Sequence, residues 1–155
     1  MHSRIYQISS KPRVEWIKAS RYDEHWFTRE VADYVSNHTN RDDDIEWIKK
    51  SLNGIAEIEG NKLVITDKRK FFERKYKKFT EAVKRLSKAT LDEFIARDFD
   101  NFEWFVTIME DSLNEKFAFY VDDGDEDGIS TFDEWMSAAE EGKTYYLGST
   151  LDYHF

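Results

Sequence analysis

Asp123, Asp125 and Asp127 stand at alternate positions in one short run, followed at once by Gly128 and six residues later by Glu134. Carboxylates at alternate positions converge on one point if the chain turns sharply, and a glycine permits that turn. The chemistry such a turn offers is an oxygen shell for a hard cation, since calcium takes six to eight oxygens. Glu134 would close the shell with both oxygens. The same residues support a second reading. Thr131 and Glu134 have the spacing of a capping box, in which the threonine hydroxyl and the glutamate carboxylate each satisfy a backbone N–H at the start of a helix. Glu134 cannot easily serve both roles.

Over residues 123–134 the run resembles the calcium loop of the EF-hand family. That resemblance implies calcium as the ion. It implies side-chain ligands from Asp123, Asp125 and Asp127, a carbonyl ligand from Ile129, a water-bridged position at Thr131 and a bidentate Glu134.

A second arrangement is weaker. Asp122 closes an expected strand, and Glu141-Gly142-Lys143 enters another. Loosely, this is similar to the D…(E/D)-x-K core of metal-dependent nucleases, where carboxylates hold a cation and the lysine positions a water. The plainer reading is an ordinary helix-to-strand turn at Gly142-Lys143. None of His2, His25, His38 and His154 has a zinc-binding spacing. No G-x-S-x-G motif is present. The chain contains no cysteine, which excludes disulfides, thiolate metal sites and cysteine nucleophiles.

Charge points elsewhere. The 155 residues carry 23 Lys/Arg against 32 Asp/Glu, a net −9. From Asp67 to Lys88 there are ten bases and three acids, whereas Val121 to Glu141 holds nine acids and no Lys or Arg. Direct binding to nucleic acid or to an anionic membrane is therefore disfavoured, and a basic protein partner is favoured. The leading functional expectation is a non-enzymatic acidic interaction protein. Its sharper form is an inhibitor that mimics nucleic acid and blocks a DNA- or RNA-binding enzyme. The residues expected to meet the partner are Asp42, Asp43 and Asp44 in one cluster and Asp122, Asp123, Glu126 and Asp127 in the other. A calcium-binding protein and a metal-dependent nuclease are the alternatives. No catalytic residue is assigned.

These groups need elements to position them. The spacing predicts a first strand over Arg4 to Ile8 and a helix near Asp23 to Val35. A second helix opens on Asp42 to Asp44, where carboxylates suit the helix dipole. A hairpin spans Ile55 to Ile58 and Lys62 to Thr66. The longest helix runs from about Asp67 to Lys88, with Phe72, Tyr76, Phe79, Val83 and Leu86 as a buried stripe. Its bases read as a solvated face. Thr90 with Glu93 caps a further helix, and another covers Asn101 to Leu113. A strand over Lys116 to Val121 leads into the acidic loop. A closing strand over Thr144 to Tyr153 has a possible turn at Gly148. The expectation is one α+β domain over residues 1–155, with four to five helices on a mixed or antiparallel sheet of about five strands. No apolar run approaches a membrane span and the first residues lack a signal-peptide core, so a soluble cytoplasmic protein is expected.

Overall fold

The computed structural model describes residues 1–12, 14–125 and 128–155. Its class is α+β, as expected, with six helices and seven strands rather than five. The chain divides into a sheet unit, Met1–Lys68 with Lys116–Phe155, and a helical unit, Arg69–Glu115. No helix among the described residues is long and apolar enough to cross a membrane.

In the sheet unit, strands β1 (His2–Ser9), β2 (Tyr34–Ser36), β3 (Ala56–Glu59), β4 (Lys62–Ile65), β5 (Tyr120–Asp122), β6 (Ile129–Thr131) and β7 (Thr144–His154) form one mixed sheet. Its order is β3-β4-β7-β1-β5-β6, with β2 also on β7. All pairs are antiparallel except β1 with β5. β7 is the spine, because it pairs along its length with β1 and at its two ends with β4 and β2.

Alternation along β1 sends side chains to opposite faces. Ile5 joins a core of Tyr22, Phe27, Tyr120, Leu151 and Tyr153 on one face. Tyr6 points to the other, where its hydroxyl donates to the Asp44 carbonyl of helix α2 (Arg41–Ser51) at 3.1 Å. Ile48 and Leu52 seal that side.

The helix expected over Asp23 to Val35 does not form. A 3₁₀ turn (Ala19–Tyr22) and one helical turn, α1 (Phe27–Glu30), come first, and Tyr34 and Val35 then enter β2. The free edge of β7 explains the difference. The Asp33 N–H donates to the His154 carbonyl at 2.8 Å, and Tyr34 and Val35 pair with His154 and Tyr153. An extended aromatic and β-branched pair gains more from that ladder than from another helical turn. β6 was not expected either, and β5 begins four residues later than the predicted strand.

Gly148 is no turn. Tyr6 pairs with Thr150 and Ile8 with Leu147, so Gly148 and Ser149 both stand opposite Gln7 in a bulge. Buried Gln7 fills the space. Its Oε1 accepts from the N–H of Ile17 and from both the N–H and hydroxyl of Ser149, at 3.0–3.2 Å. Its Nε2 donates to the Glu15 carbonyl at 2.7 Å. A Cβ at position 148 would lie 2.2 Å from Gln7 Oε1 and 2.7 Å from Val14 Cγ1.

The helical unit contains most of α3 (Lys68–Leu86), then α4 (Leu91–Ala96), a π-helical turn (Phe99–Glu103) and α5 (Trp104–Leu113). Thr90 and Glu93 form the expected capping box. That backbone bond, helped by Arg85, holds the Glu93 carboxyl below the usual range. The stripe on α3 is not the core face predicted for it. Tyr76 and Val83 are exposed, Phe72, Phe79 and Leu86 are half-buried, and Ala82 is the one buried residue of the helix. The unit has no strand for this stripe to pack against.

Gly148→Ala is expected to destabilise the sheet unit by roughly 1–3 kcal/mol, the usual cost of overpacking a filled site. Urea unfolding checks this, and a midpoint equal to wild type would show that Gln7 can move aside.

Candidate functional site

The acidic run forms the connection between β5 and β6. Asp122 closes β5 and pairs with Ile129 of β6. Gly124 has φ of +88°, the left-handed conformation that glycine tolerates. The exposed Asp123 carboxylate accepts from the Asp125 N–H at 2.9 Å. The Asp123 N–H donates to the Gly128 carbonyl at 3.2 Å. Gly128 is needed for contact rather than for torsion, since a Cβ there would fall 1.7 Å from Asp123 Oδ1. The pattern that suggested a cation loop thus also satisfies a tight strand connection.

Glu134 is committed to the cap. Its Oε2 accepts from the Thr131 N–H and hydroxyl at 2.9 Å, and its own N–H donates to Thr131 Oγ1 at 3.2 Å. This capping box opens α6 (Phe132–Ala138). Ile129 and Thr131 lie in β6. Asp125 pairs with Lys11 at 3.1 Å and its carbonyl accepts from Arg21. Asp127, like Glu126, lies outside the described residues. Among the described residues no three His, Asp or Glu side chains are grouped closely enough to hold a metal ion.

Asp122 does not belong on a partner surface. It is 0% exposed. Its Oδ2 accepts from Tyr22 OH at 2.5 Å and Arg21 Nε at 2.9 Å, and its Oδ1 from the Gly124 N–H at 2.7 Å. Three donors satisfy the buried carboxylate, as burial of a charge requires. Burial, then the Asp122 charge, pushes the Tyr22 phenol well above its ordinary value.

Asp44 is likewise withdrawn from the α2 cluster. Its Oδ1 accepts from Arg4 Nε and its Oδ2 from the Thr150 hydroxyl, both at 2.8 Å. Arg4 also binds Asp152, which in turn pairs with His2 at 2.8 Å. Burial opposes the Arg4 charge, but the Asp44 hydrogen bond and the two carboxylates outweigh it and raise its pKa. Asp42 and Asp43 stay exposed in the first turn of α2.

The nuclease-like residues are not brought together. Lys143 pairs with Glu140 at 2.7 Å, and Glu141 accepts from the Lys68 N–H at 2.6 Å, beside the β4 end of the sheet. Asp122 lies on β5, with β1 between it and β7. Two strand spacings alone, about 10 Å, exceed the reach of one shared cation.

Sequence reasoning missed the partners that decide these roles. Arg4, Arg21 and Tyr22 lie about forty to a hundred and fifty positions from the carboxylates they hold, and no local pattern links them. Of the aspartates expected to meet a partner or an ion, Asp42, Asp43, Asp123 and Asp125 are therefore exposed, while Arg4 and Arg21 are bound to interior carboxylates. Comparison with protein-family models, curated proteins and solved structures gives no match.

Asp122→Asn is expected to cost about 2–4 kcal/mol. That is below the full penalty for breaking a buried pair, because the Arg21 side chain keeps 26% exposure. Chemical denaturation measures it, and a loss under about 1 kcal/mol would show that Tyr22 and Arg21 find other partners. Alkaline pH tests the buried phenols. Burial, then the Glu134 charge, pushes Tyr120 up to about 12, and Tyr6 and Tyr22 shift the same way. A phenol raised in the fold is neutral there while its unfolded form ionises. Stability is thus complete below pH 10 and falls as pH rises from about 10 through 12. Melting temperatures across that window should drop, and less steeply in Tyr120→Phe.

Proposed function

We propose that this protein is a non-enzymatic binding protein whose sheet unit engages a basic macromolecular partner. The sharper form is an inhibitor that occupies the nucleic-acid groove of such a partner. One observation carries the reading. The sheet unit holds 22 Asp/Glu and 13 Lys/Arg and so accounts for the whole net charge of −9, while the helical unit holds ten of each. Two of those arginines, Arg4 and Arg21, are bound to the interior carboxylates Asp44, Asp152 and Asp122. Among the described residues no Lys or Arg pairs with Asp42, Asp43 or Asp123. Unneutralised exposed carboxylates give a field that speeds encounter with a basic surface and stand in for phosphates once docked.

The contact residues under this reading are Asp42, Asp43 and Asp123, joined on sequence grounds by Glu126 and Asp127. Asp44 and Asp122 are not among them, because their charges are buried. A pull-down from cell extract identifies the partner, which is expected to be basic and to release the chain when nucleic acid is added. The triple variant Asp42→Asn, Asp43→Asn, Asp123→Asn should then slow association by about tenfold at low salt and change dissociation less. The wild-type on-rate should fall steeply as salt rises, because screening shortens the reach of exposed charges to about 8–10 Å. Recovery of no basic protein, or of one whose association ignores salt, removes the reading. Calcium provides the discriminating control. A saturable rise in melting temperature with calcium would assign the β5–β6 connection to an ion, since a ligand of the folded state stabilises it by mass action. The expected result is no shift.

A further inference from the structure

The helical unit has the opposite imbalance of surface. Eight of the fourteen large hydrophobic side chains left exposed in the described chain lie within it, among them Tyr76 at 67%, Leu91 at 71% and Ile95 at 69%. Its one buried residue among those described is Ala82. A helical segment of this size with almost no interior cannot offset the entropy of its own ordering. Large exposed apolar surface on a small unit marks an interface.

A groove about 370 Å³ in volume runs between α3 and α5. Its floor is apolar, made by Ala82, Trp104, Phe105 and Ile108. The α3 side carries Lys75 and Lys78 with one acid, Glu81, and so is net basic, whereas the other side is acidic, with Asp111 on α5 and Glu115 just beyond it. The rims follow the charge of the whole elements. α3 carries nine Lys/Arg and two Asp/Glu, whereas residues 91–115 carry eight Asp/Glu and one Arg, charges of +7 and −7.

We propose that this groove is the interface of a homodimer, in which two copies of the helical unit pair about a twofold axis. A twofold contact is self-complementary, with the same patch used by both copies. Antiparallel apposition of two such grooves sets the basic rim of each α3 against the acidic rim of the second copy's α5, and closes Trp104 and Ile108 of both into one apolar layer. Two like basic helices could not approach in this way, and a basic partner would meet repulsion from α3. The second copy offers an acidic side to Lys78 and a basic side to Asp111 at once. This contact is independent of the acidic surface of the sheet unit and stands if that surface has no partner.

Sedimentation equilibrium of the full chain tests it. Dimer is expected at tens of micromolar at low salt, with a dissociation constant that rises about tenfold or more by roughly 0.5 M salt, as screening requires of exposed rim charges. Trp104→Ser should weaken the dimer by about tenfold or more, the loss expected when a central apolar anchor is truncated. Circular dichroism confirms that this half-exposed position leaves the fold intact. Lys78→Glu and Asp111→Lys should each weaken the dimer, and the double variant, which exchanges the rims, should recover most of the loss. A wild-type chain that remains monomeric up to about 200 µM, a concentration that would populate even a weak dimer, overturns the proposal. It then leaves the groove to a partner of different chemistry. A dimer that ignores salt, or a double variant no tighter than the singles, also overturns it.

Discussion

A carboxylate taken out of water must be met by donors, and two such carboxylates organise the sheet unit. Asp122 and Asp44 lie on opposite faces of the sheet. Asp122 draws Arg21 and Tyr22 onto one face and thereby ties the irregular segment before α1 to the β5–β6 connection. Asp44 draws Arg4 and Thr150 together on the other face and so ties α2 to the two central strands. Neither arrangement need contribute much net stability, because desolvation offsets much of the Coulomb gain. Both select one register, since any slip leaves a buried charge unpaired. The Gln7 amide has a similar effect at the bulge, where one buried oxygen takes three donors and requires glycine at position 148.

The same requirement sorts the acids by role. Asp44, Asp122 and Asp152 are met by arginines and are buried, whereas Asp42, Asp43 and Asp123 have no cation beside them among the described residues and stay outside as field. The result is a sheet unit whose packing holds Arg4 and Arg21 internally while Asp42, Asp43 and Asp123 face solvent. The acidic run around Asp123 shows how closely a ligand pattern and a turn pattern can coincide. Asp123 receives a backbone N–H, Gly128 makes room for the Asp123 carboxylate, and Glu134 caps α6. Asp123, Gly128, Thr131 and Glu134 thus each have a conformational task.

The two units divide the chemistry of the chain between them. One holds nearly all of the buried apolar residues and the whole net negative charge. The other exposes apolar residues and carries charge of both signs in separate stripes. Docking through the first would be long-range and salt-sensitive, steered by field. Docking through the second would combine apolar contact with short-range pairing along the rims.

Much of the fold was legible without coordinates. Local signals sufficed where local forces decide: the capping boxes at Thr90 and Thr131, the acidic first turn of α2 and the hairpin about Gly60. These depend on backbone groups within four residues of the side chain that satisfies them. The sequence by itself therefore determined the α+β class, most of the helix starts and the acidic character. Only tertiary structure decided the rest. Tyr34 and Val35 became a strand because β7 offered an edge. The stripe on α3 stayed half-exposed in a unit that has no sheet. Asp44 and Asp122 left the surface because Arg4, Arg21 and Tyr22, distant along the chain, came to meet them. Hydrogen bonds and ion pairs act over a few ångströms in space whatever the separation along the chain, so a sequence alone cannot show which charges meet.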